Sequence, residues 1–107
     1  MITFTDNNNK EISIYVANTY LSRLLGLFSS KASKQHGVMI SPCNSIHTLF
    51  FFKKIDIIFL DKNKKILKTV NSLKPFRLQY CKGAYYALEL FSDGYEYDFV
   101  LGEYFDV

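Results

Sequence analysis

The sequence predicts an α+β domain in which a predominantly antiparallel β-sheet curls into a small barrel or sandwich, with one helix packed against it. Three observations lead to this prediction. Short apolar runs separated by turn residues fill most of the chain, a single segment changes to a helical period, and 49% of the residues are hydrophobic. Aromatic side chains, at 17% of the chain, supply much of the volume that the core needs.

Residues 1–107 are expected to form a single domain, because a chain of this length builds one hydrophobic core. The sequence contains no internal repeat and no linker-like segment. Charged residues make up 21% of the chain, which is an ordinary share for a globular protein. Disorder is therefore not expected, since disordered chains are rich in charge and poor in aromatic residues.

The first predicted element is a hairpin. Ile2 and Phe4 alternate with threonines, and Ile12, Ile14 and Val16 then point one way from a second strand. The residues between the two runs are one aspartate, three asparagines and a lysine. These residues favour a turn, because Asn and Asp tolerate left-handed backbone and bond to their own main chain.

The period then changes to that of a helix. Leu21, Leu24, Leu25 and Phe28 recur at i, i+3, i+4 and i+7, which predicts one apolar helical face. Residues 29–35 are polar and predict an exposed loop or a fraying helix end.

After Gly37 the chain predicts strands and turns. The apolar runs are 38–40, 46–52, 57–60, 66–70 and 84–90. Residues 71–77 contain Pro75, which disfavours a central strand. The dipeptide Asp93-Gly94 predicts a further hairpin, and strict alternation over residues 95–101 predicts its second strand.

Basic side chains are concentrated in one part of the chain. Nine basic and two acidic residues lie between positions 53 and 82, whereas the chain from position 89 onward holds six acidic residues and no basic ones. A net charge of +3 is small for a nucleic-acid-binding protein. We interpret the asymmetry as two solvated edges and expect no nucleic-acid partner.

The sequence predicts a cytoplasmic protein. Its first residues lack the basic and apolar regions of a signal peptide, and no apolar run approaches the roughly 20 residues that a membrane helix needs. We therefore expect no association with a membrane. Cys43 and Cys81 are too few for a disulfide scaffold and are expected to be free thiols.

The densest polar cluster lies at residues 41–48, directly before an apolar run. Cys43, Asn44 and His47 could supply a nucleophile, an orienting amide and a base. Cys43 and His47 could also bind a metal ion with Cys81, but the paired ligands typical of zinc sites are missing. A structural interpretation is that the segment forms a turn in which His47 bonds to the backbone. We predict no metal site and no cofactor.

Two carboxylates stand out because their neighbours are apolar. Asp56 and Glu89 each lie within an apolar run, so each must sit at a polar edge or be buried with a partner. Arg23 on the predicted helix is the partner to expect, because a guanidinium group binds a carboxylate through two parallel hydrogen bonds.

Five segments, in order along the chain, resemble a known bacterial and archaeal family, domain-of-unknown-function family 192, an uncharacterised UPF-type family. Residues 23–27 resemble its R-x-x-G-L motif, and residues 41–48 contain its P-C-x-x-I-H-T segment. Residues 55–61 match I-D-x-x-F-L-D, residues 84–90 match A-x-x-x-L-E-L, and residues 101–103 resemble the closing x-G-D. The resemblance implies a compact β-rich domain with one helix against it, and it implies no established reaction.

The leading hypothesis for function is a non-enzymatic binding module for a small polar ligand, carbohydrates included, or for a peptide. The expected site is a barrel mouth with apolar walls and a few placed polar groups. One alternative is an enzyme that uses the Cys43 thiol and the His47 imidazole, and another is a structural protein-interaction domain. We expect a monomer. The candidate ligand-binding residues are Arg23, Cys43, Asn44, His47, Thr48, Asp56 and Glu89.

Overall fold

A computed structural model describes residues 2–17, 37–47, 55–74, 76–91 and 97–104. These residues form eight β-strands, which are β1 (Ile2–Thr5), β2 (Glu11–Ala17), β3 (Gly37–Ile40), β4 (Ser45–His47), β5 (Ile55–Leu60), β6 (Ile66–Leu73), β7 (Leu78–Tyr80) and β8 (Tyr86–Phe91). The predicted helix at residues 21–28 lies outside the described residues.

Six of the strands form one mixed sheet in the order β1-β2-β3-β8-β5-β6. Strands β2 and β3 are parallel, and the other neighbours in the sheet are antiparallel. Strands β4 and β7 form a separate antiparallel ribbon. A parallel pair requires a connection of a dozen or more residues, and β2 and β3 are separated by 19 residues in the sequence.

The predicted fold class, an α+β domain curled into a barrel or sandwich, is wrong. The described residues contain strands and no helix, and the six-stranded sheet is open, with β1 and β6 at its two edges. Alternating apolar residues predict where strands are, but they do not predict whether the edge strands pair. Closure requires a matching tilt and stagger of the strands, which the alternation does not specify.

Two strand predictions also differ from the structure within the described residues. Residues 71–73 belong to β6, an edge strand, although the prediction for this strand ends at Val70. Residues 97–100 are irregular despite their strict alternation. Their main chain bonds to the β1–β2 turn instead, since Asp98 accepts a hydrogen bond from Asn7 N at 3.1 Å.

The sheet is buried on two faces. The ribbon face carries Val38, Ile57 and Phe59 and packs against Ile46 and Cys81 of the β4–β7 ribbon. The terminal face is defined by the side chains that pack with Tyr97, namely Ile12, Ile14, Met39, Ile58, Leu60, Ile66, Leu88 and Leu90. All six residues of β5 are buried, because this strand lies inside the sheet with both faces covered.

Gly37 allows β3 to approach β8 closely. A Cβ atom at this position would clash with the main-chain oxygen of Glu89, and main chain cannot move aside as a flexible side chain can. The absence of a side chain at Gly37 therefore fixes the spacing of the strands next to Glu89.

The β1–β2 and β5–β6 hairpins have the same five-residue turn. In each, an aspartate (Asp6 or Asp61) accepts hydrogen bonds through Oδ1 from the amides two and four residues later, at 2.8–3.0 Å. The fourth turn residue, Asn9 or Lys64, has a left-handed backbone with φ of 63° or 66°.

Among the described residues no helix is long and apolar enough to cross a membrane.

Candidate functional site

A β-bulge in the edge strand β6 shapes one side of the candidate site. Ile57 pairs with Val70 and Ile55 with Leu73, so Asn71 and Ser72 both lie opposite the single residue Asp56. Ser72 has a φ of 54°, and its amide donates to Asp56 Oδ1 at 2.7 Å. The buried Asp56 carboxylate thus replaces the ladder bond that the bulge removes. Bulges re-aim side chains, and this one carries the exposed Asn71.

The C-terminal segment, residues 97–104, forms the opposite side. Asp6 Oδ2 accepts a hydrogen bond from Asp98 N at 3.2 Å, and the Tyr97 hydroxyl donates to Phe91 O at 2.9 Å. Farther along, Ile66 N donates to Glu103 O at 2.8 Å. The segment is therefore held to the β1–β2 turn at one end and to the start of β6 at the other.

Between these two sides lies an open cleft of about 400 Å³, lined by Asn8, Asn71, Tyr97, Asp98 and Phe99. The side chains of Asn8, Asn71 and Asp98 are exposed, and no described residue hydrogen-bonds to any of them. Tyr97 is buried and Phe99 is half-buried. The cleft therefore presents two amides and one carboxylate beside two aromatic residues that are largely packed into the core.

The side chain of Glu89 is buried on the other face of the sheet. Its residue is only 3% exposed and lies in a cross-strand row with Tyr15, Val38, Ile57 and Val70 on the ribbon face. Burial among these side chains raises the pKa of Glu89 to about 8, because a carboxylate loses its hydration there. No described residue donates a hydrogen bond to Glu89 Oε2. A carboxyl group with a pKa of about 8 is mostly protonated at pH 7.

The match to known proteins covers most of this fold. Residues 2–97 match the model of the family DUF192, which is described as Uncharacterized ACR. The chain belongs to this family. It is 35% identical over 81 residues to the UPF0127 protein PH1112 of Pyrococcus horikoshii, an alignment that covers 67% of this chain and 69% of that protein.

Two solved structures share the fold of this DUF192 chain. A protein of unknown function from Novosphingobium aromaticivorans superposes with a TM-score of 0.66 at 16% identity, over 90% of this chain and 79% of its own. A Sinorhizobium meliloti protein described as a candidate transcription regulator has a TM-score of 0.62 at 14% identity, over 83% and 77%. At such low identity, the likeness shows the fold alone.

Two of the predicted site residues, Asp56 and Glu89, do not meet. Asp56 pairs with Leu90 and lies on the terminal face, whereas Glu89 pairs with Ile57 and lies on the ribbon face. The sheet itself separates the two carboxyl groups. Asp56 does not line the cleft, but its hydrogen bond to the Ser72 amide holds the bulge that carries Asn71.

Two other candidates, Cys43 and Asn44, lie beside the β4–β7 ribbon. Cys43 is half-buried and its thiol donates to Ser45 O at 3.2 Å. Asn44 is exposed, and its main-chain carbonyl accepts a hydrogen bond from Cys81 N at 2.9 Å. Arg23, Thr48 and the side chain of His47 lie outside the described residues, so the predicted site of seven residues and the thiol–imidazole enzyme stay predictions.

The surroundings of the buried Cys81 thiol disfavour its thiolate form. Burial raises the pKa of Cys81, and the Lys68 charge lowers it by a smaller amount. A thiol with a raised pKa holds little thiolate near neutral pH. Cys81 therefore acts as a core side chain, as its place on the ribbon face indicates.

The cleft residues Asn8, Asn71, Asp98 and Phe99 were not among the predicted ligand-binding residues. Asn8 belongs to a turn and Asp98 to an alternating segment, and both positions have ordinary structural explanations. The one available signal was the polar pair Asn71-Ser72 directly after an apolar strand, which is typical of a bulge or a strand end.

Proposed function

We propose that this domain is a non-enzymatic binding module for a small polar ligand, and that the cleft beside Asn71 is its binding site. The observation that carries the proposal is the set of three polar side chains that no described residue engages around one cleft, Asn8, Asn71 and Asp98. The ligand class that fits best is a carbohydrate or another polyhydroxylated molecule.

The chemistry of the lining supports this class. Each amide offers two donors and a carbonyl acceptor, and the Asp98 carboxylate offers acceptors only, so hydroxyl groups find partners in either role. The half-buried Phe99 ring supplies an apolar surface. The C–H groups on one face of a sugar ring carry partial positive charge and pack well against the negative face of an aromatic ring.

The fixed positions of the polar groups also support binding. The main chain of Asp98 is held by Asp6 and Asn7, and Asn71 stands on a bulge that Asp56 holds. A site whose backbone is already ordered loses less conformational entropy when the ligand binds. Neutral ligands suit the cleft better than anions, because Asp98 would repel a negative group.

The test is a nuclear magnetic resonance titration of the full chain with a panel of neutral mono- and disaccharides. We expect the backbone amides of Asn8, Asn71, Asp98 and Phe99 to shift with any sugar that binds. If no sugar in the panel moves these four amides, or if shifts occur elsewhere instead, the assignment of the cleft is wrong.

Replacing Asn71 with alanine is expected to weaken binding of the best sugar about tenfold, because the loss of one or two hydrogen bonds costs about 1.4 kcal/mol. Isothermal titration calorimetry measures the change. The matched control is Asn63→Ala, which removes an exposed amide from the β5–β6 turn, away from the cleft. An equal affinity of both variants and the parent protein would exclude Asn71 from the site.

A further inference from the structure

We propose that the exposed side of the β4–β7 ribbon binds an acidic, extended segment of a partner protein, which adds as a strand beside β7. This proposal is independent of the cleft, because none of the cleft residues belongs to the ribbon. It rests on three features of the ribbon: an apolar stripe, an open strand edge and an excess of positive charge.

The apolar stripe consists of Phe76, Leu78 and Tyr80, whose exposed fractions are 61%, 69% and 56%. Leu78 and Tyr80 alternate within β7 and therefore lie on one face of the strand. The exposed Phe76 precedes the strand, and its backbone is left-handed with a φ of 61°. The opposite side of the ribbon is different, since Ile46, which pairs with Gln79, is buried against the ribbon face of the sheet. A row of large apolar side chains in water, rather than one such residue, marks an interaction surface.

Among the described residues no third strand pairs with β7, and the hydrogen-bond register sets which of its main-chain groups face the outer edge. Cys81 N bonds to Asn44 O, and hydrogen-bonded and non-bonded pairs alternate in an antiparallel ladder. Tyr80 and Leu78 therefore form the non-bonded pairs with β4, and their main-chain N–H and C=O groups point away from it. The Lys68 ammonium donates to Tyr80 O at 3.2 Å, which agrees with a Tyr80 carbonyl group that faces away from β4.

The stretch of sequence that contains the stripe is basic. Between residues 62 and 88 the chain holds seven basic residues and no acidic one. Lys74, Arg77 and Lys82, all exposed, lie within the same short segment as the stripe, and the Lys68 ammonium reaches the edge itself. An incoming acidic strand would bond to Tyr80 O in place of Lys68, whose ammonium group could then pair with a carboxylate of the strand.

These features together favour a peptide strand over other anionic partners. A strand adds a ladder of main-chain donors and acceptors that matches the open edge, and its alternate side chains meet the stripe. Single-stranded nucleic acid can stack bases on Phe76 and Tyr80 but supplies no such ladder. An anionic membrane surface would use the charge and the apolar groups but leave the edge unfilled.

The experiment uses a fluorescently labelled peptide of alternating glutamate and valine and measures its anisotropy with the full chain. We expect saturable binding that is lost when alternate peptide nitrogens are methylated, because methylation removes the ladder while it preserves charge and apolar area. Equal binding of the methylated peptide would overturn the strand-addition geometry. Tighter binding of oligo-deoxythymidine or of phosphatidylserine vesicles than of the peptide would assign the surface to another class of partner and overturn the proposal.

The test variant is Leu78→Asp, which places a like charge in the centre of the surface. We expect at least about a tenfold rise in the peptide Kd, as a loss of about 1.4 kcal/mol produces. The matched control is Val100→Asp, which adds the same charge at another exposed apolar position, in the C-terminal segment. Circular dichroism confirms that both variants fold. An unchanged Kd for Leu78→Asp, or the same rise in both variants, would contradict the assignment.

Discussion

The Glu89→Gln variant is expected to be more stable than the parent protein at pH 7, by about 3 kcal/mol, because it removes an acid that must stay protonated in the folded state. Burial raises the pKa of Glu89 from 4.5 to about 8. Between these two values the folded chain keeps a proton that the unfolded chain has released. Gln has nearly the volume of protonated Glu, so the packing of the cross-strand row that contains Glu89 is preserved.

The same shift sets the pH dependence of the parent protein. Since the folded state binds more protons from this group than the unfolded state does, the free energy of unfolding decreases as pH rises from 4.5 to 8. The contribution of Glu89 has a slope of about 1.4 kcal/mol per pH unit and levels off above pH 8. Denaturant unfolding across this range measures it, and we expect the slope to disappear in Glu89→Gln.

The control for this experiment is Glu103→Gln, which removes an exposed carboxyl group from the C-terminal segment and should keep the slope that Glu89 causes. A parent protein without the slope, together with a destabilised Glu89→Gln, would show that Glu89 is ionised when folded. The Arg23–Glu89 ion pair that the sequence suggests would produce this second result, because a guanidinium group stabilises the carboxylate. The experiment therefore distinguishes a neutral acid from a buried ion pair.

The sequence predicts individual strands well where both faces of a strand are apolar or where turn residues follow it. The apolar run at Ile57–Leu60 lies within β5, and Asp6 and Asp61 both occupy the turns between hairpin strands. Such features depend on the side chains of the segment itself. For this reason the periodicity and turn chemistry of a single segment are enough to predict them.

Sheet order and closure depend on contacts between distant segments, so the sequence does not predict the order of the strands, and the predicted closure into a barrel or sandwich is wrong. The parallel pairing of β2 with β3, and the place of β8 between β3 and β5, bring together residues that the alternation pattern treats alike. The segment from Tyr97 to Val100 shows the limit most directly. It alternates like a strand, yet the Asp6 carboxylate binds its main chain and takes it out of any ladder.

The candidate cleft was missed for the same reason. Asn8, Asn71 and Asp98 are far apart in sequence and become neighbours only through the bulge opposite Asp56 and the bonds of Asp6. The sequence did single out Asp56 from its apolar surroundings, but as a ligand-binding residue. Its hydrogen bond indicates a different role, because the carboxylate accepts from the Ser72 amide and so shapes the strand that presents Asn71.

Replacing Asp6 with alanine is expected to lower the free energy of unfolding by about 3 kcal/mol, because three main-chain amides lose a charged acceptor at once. Asp6 Oδ1 accepts from Asn8 N and Lys10 N, and Oδ2 accepts from Asp98 N, far away in sequence. The residue is only 4% exposed, so water replaces these bonds poorly. Urea denaturation of the variant and the parent protein measures the loss.

The twin turn supplies the control for this prediction. Asp61 accepts the same two bonds, from Asn63 N and Lys65 N, but no other described amide outside the turn donates to its side chain, and its surroundings are more exposed. We therefore expect Asp61→Ala to cost only about 1 kcal/mol. The difference between the variants isolates what Asp6 contributes by holding the C-terminal segment. Hydrogen exchange at the Asp98 amide should accelerate in Asp6→Ala but not in Asp61→Ala. Equal losses of stability in the two variants, with an unchanged exchange rate at the Asp98 amide, would show that the turn accounts for the whole effect.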